Sequence, residues 1–147
     1  MTWEYIAGFF DGEGSITHNG SGFRITVSQT NQDVLNEIAR FTDMGYIIMV
    51  TKRKSHWKDA WVYYIAKQQD VHRFLECCKT YLIVKKDLAN KALPKIEAIL
   101  RRTEAKKDLR THRISQAKLL RAQGLTYRAI GKILKIDFGF ARQLTLI

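Results

Sequence analysis

Two cysteines in 147 residues, adjacent as Cys77 and Cys78, are too few for a disulfide framework and unsuited to pairing with each other. They read as reduced packing residues on a helix. No run approaches the roughly 20 apolar residues of a transmembrane helix, and the acidic, aromatic start MTWEYIAGFFDGEG is not a signal peptide. A soluble intracellular protein is expected. Acidic residues are also few: 14 Asp+Glu against 25 Lys+Arg leave a net charge of +11. That imbalance favours an extended polyanion over a small-molecule substrate, with nucleic acid ahead of an anionic membrane surface. It is uneven as well. Residues 1–102 carry 15 basic and 11 acidic side chains, and residues 103–147 carry 10 and 3.

What is present is a regular alternation of helix and hairpin signals. Trp3 to Phe10 is apolar and aromatic without a charged face, a helix buried on more than one side, whose end Gly12 and Gly14 mark. GSITHNGSGFRITVSQT follows as two extended runs around Asn19-Gly20-Ser21-Gly22, with Phe23, Ile25 and Val27 alternating against Arg24, Thr26 and Ser28. NQDVLNEIARF is a helix capped near Asn31, with Val34, Leu35, Ile38 and Phe41 on its apolar side. A second hairpin is expected in GYIIMVTKRK, the turn SHWKD and AWVYYIAK. QDVHRFLECCKTYL and KKDLANKALPKIEAILRR are further helices, the second expected to be kinked or divided at the single proline, Pro94.

The resulting order is αββαββα over residues 1–102, an α+β fold with one four-stranded antiparallel sheet covered by helices on one face. Residues 103–113 read as a linker or a solvated helix. Residues 114–147 divide into three short helices, a small all-α module with Thr126 and Asp137 as helix caps. Ala117, Leu119, Leu120, Ala129, Ile130, Ile133 and Leu134 would supply its core.

The stretch IAGFFDGEGSI raises a chemical question, because Glu13 stands at the helix end that disfavours negative charge by about 0.3–1 kcal/mol. Gly8 and Gly12, four apart with Ala7 beside them, leave one stripe nearly bare, so a second helix can approach backbone to backbone. If that helix belongs to a second subunit, two Glu13 carboxylates and two helix ends converge into a site for hard divalent cations. A solvated glycine-rich helix stop is the structural alternative.

IAGFFDGEG resembles the LAGLIDADG signature, with Ile6, Ala7, Gly8, Phe9, Phe10, Asp11, Gly12, Glu13 and Gly14 filling its nine places. The resemblance to LAGLIDADG homing endonucleases extends through the element order over about residues 3–102. It implies Glu13 as the catalytic metal ligand, the Gly12 carbonyl as its helper, and Mg²⁺ as the ion, with Mn²⁺ or Ca²⁺ in its place. Asp11, with Ala7, Gly8 and Gly12, would lie at the helix-end interface, since single-motif members act as homodimers. The family's polar residue at the end of the second strand maps to Gln29, and its lysine before the last core helix to Lys85. The arginine that some relatives carry near the start of the second helix is Asp33 here.

Under that resemblance the polar sheet face is the DNA surface: Thr17, Asn19, Arg24, Thr26 and Ser28, the basic tip Lys52, Arg53 and Lys54, then Tyr64 and Lys67. Arg24 suits guanine O6/N7 in the major groove, and the lysine-rich tip suits phosphate. Strand three, apolar on both sides at Ile47–Val50, fits this assignment less well. The C-terminal third resembles a helix-turn-helix of the resolvase or sigma-factor kind, with Lys132, Gly139, Arg142 and Gln143 as candidate contacts. A dimerisation appendage is the alternative. The reading is therefore a site-specific double-strand endonuclease acting on a long near-palindromic DNA site. An RNA maturase and a non-catalytic transcription regulator remain as rivals, and neither needs a carboxylate at Glu13.

Overall fold

The computed structural model describes residues 1–147 apart from positions 53 and 55. The chain divides into two compact units, Met1–Leu100 and Arg101–Ile147. In the first, the order is α1 (Trp3–Glu13), β1 (Gly14–His18), β2 (Phe23–Gln29), α2 (Gln32–Thr42), β3 (Tyr46–Met49), β4 (Trp61–Ile65) and α3 (Gln68–Cys78). A long helix, α4 (Lys86–Ala122), starts in this unit and continues into the second, where α5 (Tyr127–Leu134) and α6 (Phe138–Leu146) follow.

The four strands form one antiparallel sheet in the order β1-β2-β4-β3. Alternation decides its faces. Phe23, Ile25, Val27, Tyr63 and Ile65 are buried against Ile6, Phe10, Leu35, Phe74, Leu75 and Ile96 from the helices, and their neighbours along each strand face the other way. Where β4 ends, the Gln68 side chain continues the pairing: it accepts from the Phe23 N–H at 2.9 Å and donates to the Phe23 carbonyl at 2.7 Å. The buried Tyr63 hydroxyl is satisfied by the Met44 carbonyl at 2.8 Å and by Thr42 Oγ1 at 2.7 Å. Burial pushes both the Tyr63 phenol and the Cys78 thiol up to about 12, so Cys78 is the inert packing residue its position suggests.

Several helix boundaries follow from caps read in the sequence. Asn31 Oδ1 accepts from Asp33 N at 2.9 Å and Val34 N at 3.4 Å, and Asp137 Oδ2 accepts from Gly139 N at 2.7 Å and Phe140 N at 3.2 Å. Thr126 Oγ1 accepts from Ala129 N at 3.3 Å, and Gly124 breaks the preceding helix at φ +88°.

Four expectations are corrected. Pro94 does not divide α4: it lies on the exposed side, where water can take up the carbonyl it leaves unbonded, while buried Ala92, Leu93 and Ile96 hold the helix to the core. The second hairpin is shorter than its β-rich sequence suggests, with β3 ending at Met49, so Lys52 and Lys54 lie in a loop; Arg53 falls outside the described residues. Phe41 is 40% exposed and meets Trp3 edge to face at 5.5 Å. In the second unit, Ala117, Ile130, Ala141 and Leu144 form the buried core, while Leu119 and Ile133 are 61% and 54% exposed. Of the two readings for residues 103–113 the solvated helix holds: they lie within α4, whose end takes the place of the first of the three short helices expected beyond them.

Candidate active site and nucleic-acid interface

The C-terminal end of α1 gathers the candidate chemistry. Asp11 is the organiser: its carboxylate accepts three main-chain N–H groups, from Ile83 at 2.6 Å, Val84 at 3.1 Å and Lys85 at 2.9 Å. In return the Lys85 ammonium donates to the Asp11 carbonyl oxygen, and its Nζ stands 5.8 Å from the centre of the Phe10 ring. Partial burial pushes the Asp11 carboxyl up, but the three N–H donors and the Lys85 charge outweigh it and hold the group below its ordinary range. The sequence assigned Asp11 to a subunit interface; within this chain it fastens the entry of α4 to the end of α1.

That arrangement carries Lys85 to the negative pole of α1, beside the last turn that contains Gly12 and Glu13. Glu13 is exposed and has no hydrogen-bond or ion-pair partner among the described residues. Gln29 arrives from the end of β2. Gly14 pairs with Val27, so Glu13 and Gln29 flank the same end of the β1–β2 ladder, with Gln29 Oε1 accepting from the Thr30 N–H at 2.8 Å. Asp33 lies in the first turn of α2 and is exposed.

Along α1 the small residues separate into two roles. Ala7 is fully buried in the chain's own core, contrary to its expected place on the free stripe. Gly8 and Gly12 are exposed, and a Cβ at either would meet nothing within 4 Å. Tyr5 and Phe9 stack beside them at 6.1 Å. Gly14 is different: a Cβ there would stand 1.9 Å from the Phe10 ring, so only glycine lets the chain turn into β1 over that side chain.

The open sheet face brings together five of the expected side chains. Thr17 pairs with Arg24, and Thr26 with Tyr64, and Ser28 lies two residues further along β2. Arg24 Nε donates to Thr17 Oγ1 at 2.9 Å, and its Nη1 donates to the Tyr64 hydroxyl at 3.4 Å. Tyr46, not singled out in the sequence, joins them with its ring 5.3 Å from that of Tyr64. The apolar run of strand three hid its alternation. The remaining candidates are more engaged. The Asn19 side-chain oxygen accepts from Gly22 N at 3.1 Å and Ser21 Oγ at 3.0 Å, which closes the β1–β2 turn. Lys52 pairs with Asp59 at 2.7 Å, and Lys67, preceding α3, lies 3.6 Å from Asp70. Lys132, Arg142 and Gln143 are exposed on α5 and α6, and Gly139 is partly exposed.

The family model of the LAGLIDADG-like domain matches residues 2–79, just over half of the chain. The chain is a LAGLIDADG protein. No curated protein sequence matches it. Among solved structures it is similar to the homing endonuclease I-CvuI in complex with its target in the presence of Ca, at 19% identity and TM-score 0.53, covering 69% of each chain. I-CvuI with an uncleaved DNA target in the presence of Mg gives 21% identity and TM-score 0.52 over 66% of each chain. The LAGLIDADG meganuclease I-AabMI bound to uncleaved DNA gives 17% identity and TM-score 0.53 over 80% of this chain and 44% of that one. At these identities the likeness establishes the fold. It accounts for the αββαββα order, and in this chain the signature stretch lies on α1 with Gly14 opening β1. No helix of the described residues is long and apolar enough to cross a membrane.

Proposed function

We propose that this LAGLIDADG chain is a homodimeric, divalent-metal-dependent endonuclease that cuts both strands of a long, near-palindromic DNA site. The observation that carries the reading is Glu13: a carboxylate without a partner among the described residues, at a helix pole that disfavours it, beside two glycines open to solvent. A purely structural helix stop has no need of that charge. Two of the three solved relatives were prepared with Ca or Mg, and all three hold DNA.

The donor set suits a hard cation and is incomplete in one chain. Among the described residues no group of three His, Cys, Asp or Glu side chains could hold a metal. Glu13 and the Gly12 carbonyl would supply oxygen ligands, and a second copy approaching along Gly8 and Gly12 would bring the matching pair. A bound divalent ion would supply a more acidic water and neutralise charge on the scissile phosphate. The chain's own residues do the rest. Lys85, fixed by Asp11, offers positive charge where the phosphate becomes more negative. Gln29, at the end of β2, would orient the attacking water. Arg24, Thr17, Thr26, Ser28 and Tyr64 present a connected polar face to base edges, and the flanking lysines steady the backbone.

Incubation with a randomised-site duplex library and Mg²⁺, followed by sequencing of cut ends, tests the proposal. Recurrent paired breaks with short 3′ overhangs around a near-palindrome are expected. Sequence-selective duplex binding without recurrent ends would make the chain a non-catalytic regulator, and selective RNA binding without ends would make it a maturase.

A further inference from the structure

Residues 101–147 carry 12 basic and only 3 acidic side chains and form a unit with a core of their own. Nothing in the cleavage chemistry accounts for that charge. The packing of α5 and α6 is close: a Cβ on Gly131 would stand 2.8 Å from the Ile136 carbonyl, and Ile136 N–H donates back to the Gly131 carbonyl at 2.9 Å. This tight corner leaves two outward surfaces in a fixed relationship.

The first is on α5 and its cap. Arg128 and Lys132, spaced i, i+4, lie on one face of α5, away from buried Ile130 and half-buried Leu134, and Lys135, the left-handed cap residue at φ +53°, lines the same groove as both. Their side chains have no acidic or hydrogen-bond partner among the described residues, and neither does that of Arg142. The second is the outer side of α6. Buried Ala141 and Leu144 turn Gly139, Arg142 and Gln143 outward, and Phe138 and Phe140 flank that strip, 58% and 40% exposed. A groove joins the surfaces, lined by Arg128, Gly131, Lys132, Lys135, Ile136 and Phe138, with the capping Asp137 between them.

We infer that this unit is a second reader of duplex DNA, in which Arg128, Lys132 and Lys135 hold phosphates while Phe138 and Phe140 meet thymine 5-methyl groups on either side of Arg142 and Gln143. The charge selects a polyanion. An α-helix such as α6, about 10–12 Å across with its side chains, fits a major groove about 12 Å wide. Phenylalanine against the thymine methyl is a readout available there and absent from the minor groove. A membrane anchor would need a continuous apolar face, whereas here Arg142 and Gln143 stand between the two rings. The inference concerns binding alone and stands whether or not the chain cleaves DNA.

The test uses the full chain in EDTA, which removes cleavage from the measurement. Affinity is compared for a duplex of alternating A·T pairs and for the same duplex with deoxyuridine replacing thymidine, which removes only the methyl groups. Binding to the thymine duplex is expected to be tighter by about fourfold for each methyl covered. Phe138→Ala and Phe140→Ala, both at exposed positions, should each reduce that ratio. Replacing Arg128, Lys132 and Lys135 together by Gln should instead keep the ratio and flatten the slope of log K against log salt by about 0.9 for each phosphate no longer neutralised. Equal affinity for the two duplexes, or a thymine preference that survives both phenylalanine substitutions, would overturn the proposal. Stronger binding to phosphatidylserine vesicles than to either duplex would assign the face to a membrane.

Discussion

The Lys85 main-chain N–H donates to the Asp11 carboxylate at 2.9 Å while the Lys85 ammonium donates to the Asp11 carbonyl, so two residues 74 positions apart hold each other at the end of α1. The first bond is part of a three-donor cap and the second offsets the negative helix pole next to Glu13. Asp11 is thus expected to act on stability and, through Lys85, on rate. Asp11→Asn should cost about 1 kcal/mol at neutral pH. The sign of its pH dependence follows from the lowered carboxyl pKa: the folded state prefers the ionised form, so the contribution is full above the unfolded value near 4 and is lost as pH falls through the folded one. Urea midpoints of the wild type and Asp11→Asn should begin to converge as pH falls below about 4 and meet only below the lowered folded pKa; a gap that does not narrow as pH falls would show that charge is not what Asp11 contributes.

Glu13→Gln keeps the shape of the side chain and removes both a metal ligand and a charge that repels phosphate. Cleavage should be abolished while DNA affinity stays equal or rises. Retained cutting by that variant would remove Glu13 from the catalytic assignment.

Lys85→Ala separates positioning from chemistry, because the main-chain bond to Asp11 survives while the ammonium is removed. Single-turnover cleavage should slow by about 10²-fold or more, the scale for losing one preorganised electrostatic donor, with specific binding retained. An unchanged rate would transfer the role to Lys86 or to none.

What the sequence disclosed and what it hid divide along the range of the interactions concerned. Asn31, Thr126 and Asp137 cap helices through atoms two or three residues away, and the alternation from Phe23 to Gln29 states which side of β2 is buried. Those signals are local. The role of Asp11 depends on N–H groups more than 70 residues distant, and no spacing rule reaches so far. Leu119 and Ile133 fit the apolar rhythm of their helices, but which part of a stripe is covered depends on a neighbouring helix that the rhythm does not describe. Tyr46 was hidden because Ile47, Ile48 and Met49 are apolar on both faces of β3, leaving its register to be set by pairing with Tyr64.

Two glycines of the signature should respond oppositely. Gly8→Leu adds a side chain where nothing stands within 4 Å, and the helix gains about 0.5–1 kcal/mol of intrinsic propensity. The isolated chain should melt no earlier, yet sedimentation should shift to monomer and double-strand cutting should disappear. A fully active monomer from that variant would refute the dimer. Gly14→Ala instead drives a methyl into the Phe10 ring and should destabilise the chain by about 1–3 kcal/mol, whatever its oligomeric state.

Arg24 is the side chain on the open sheet face whose orientation is most constrained, held by Thr17 from one side and the Tyr64 hydroxyl from the other. A guanidinium held in this way loses less freedom on meeting a guanine than a mobile one, so base readout should concentrate there. Arg24→Ala should cost about 1–3 kcal/mol at one base pair in each half-site and relax the preference at that pair alone. Tyr64→Phe removes only the 3.4 Å support and should weaken the same preference less. Both effects can be read by comparing cut-end sequences of the variants from one randomised library. If Arg24→Ala lowers affinity equally across all sequences and reduces the salt slope by about one phosphate's worth, the residue touches backbone and sequence is read elsewhere on the sheet.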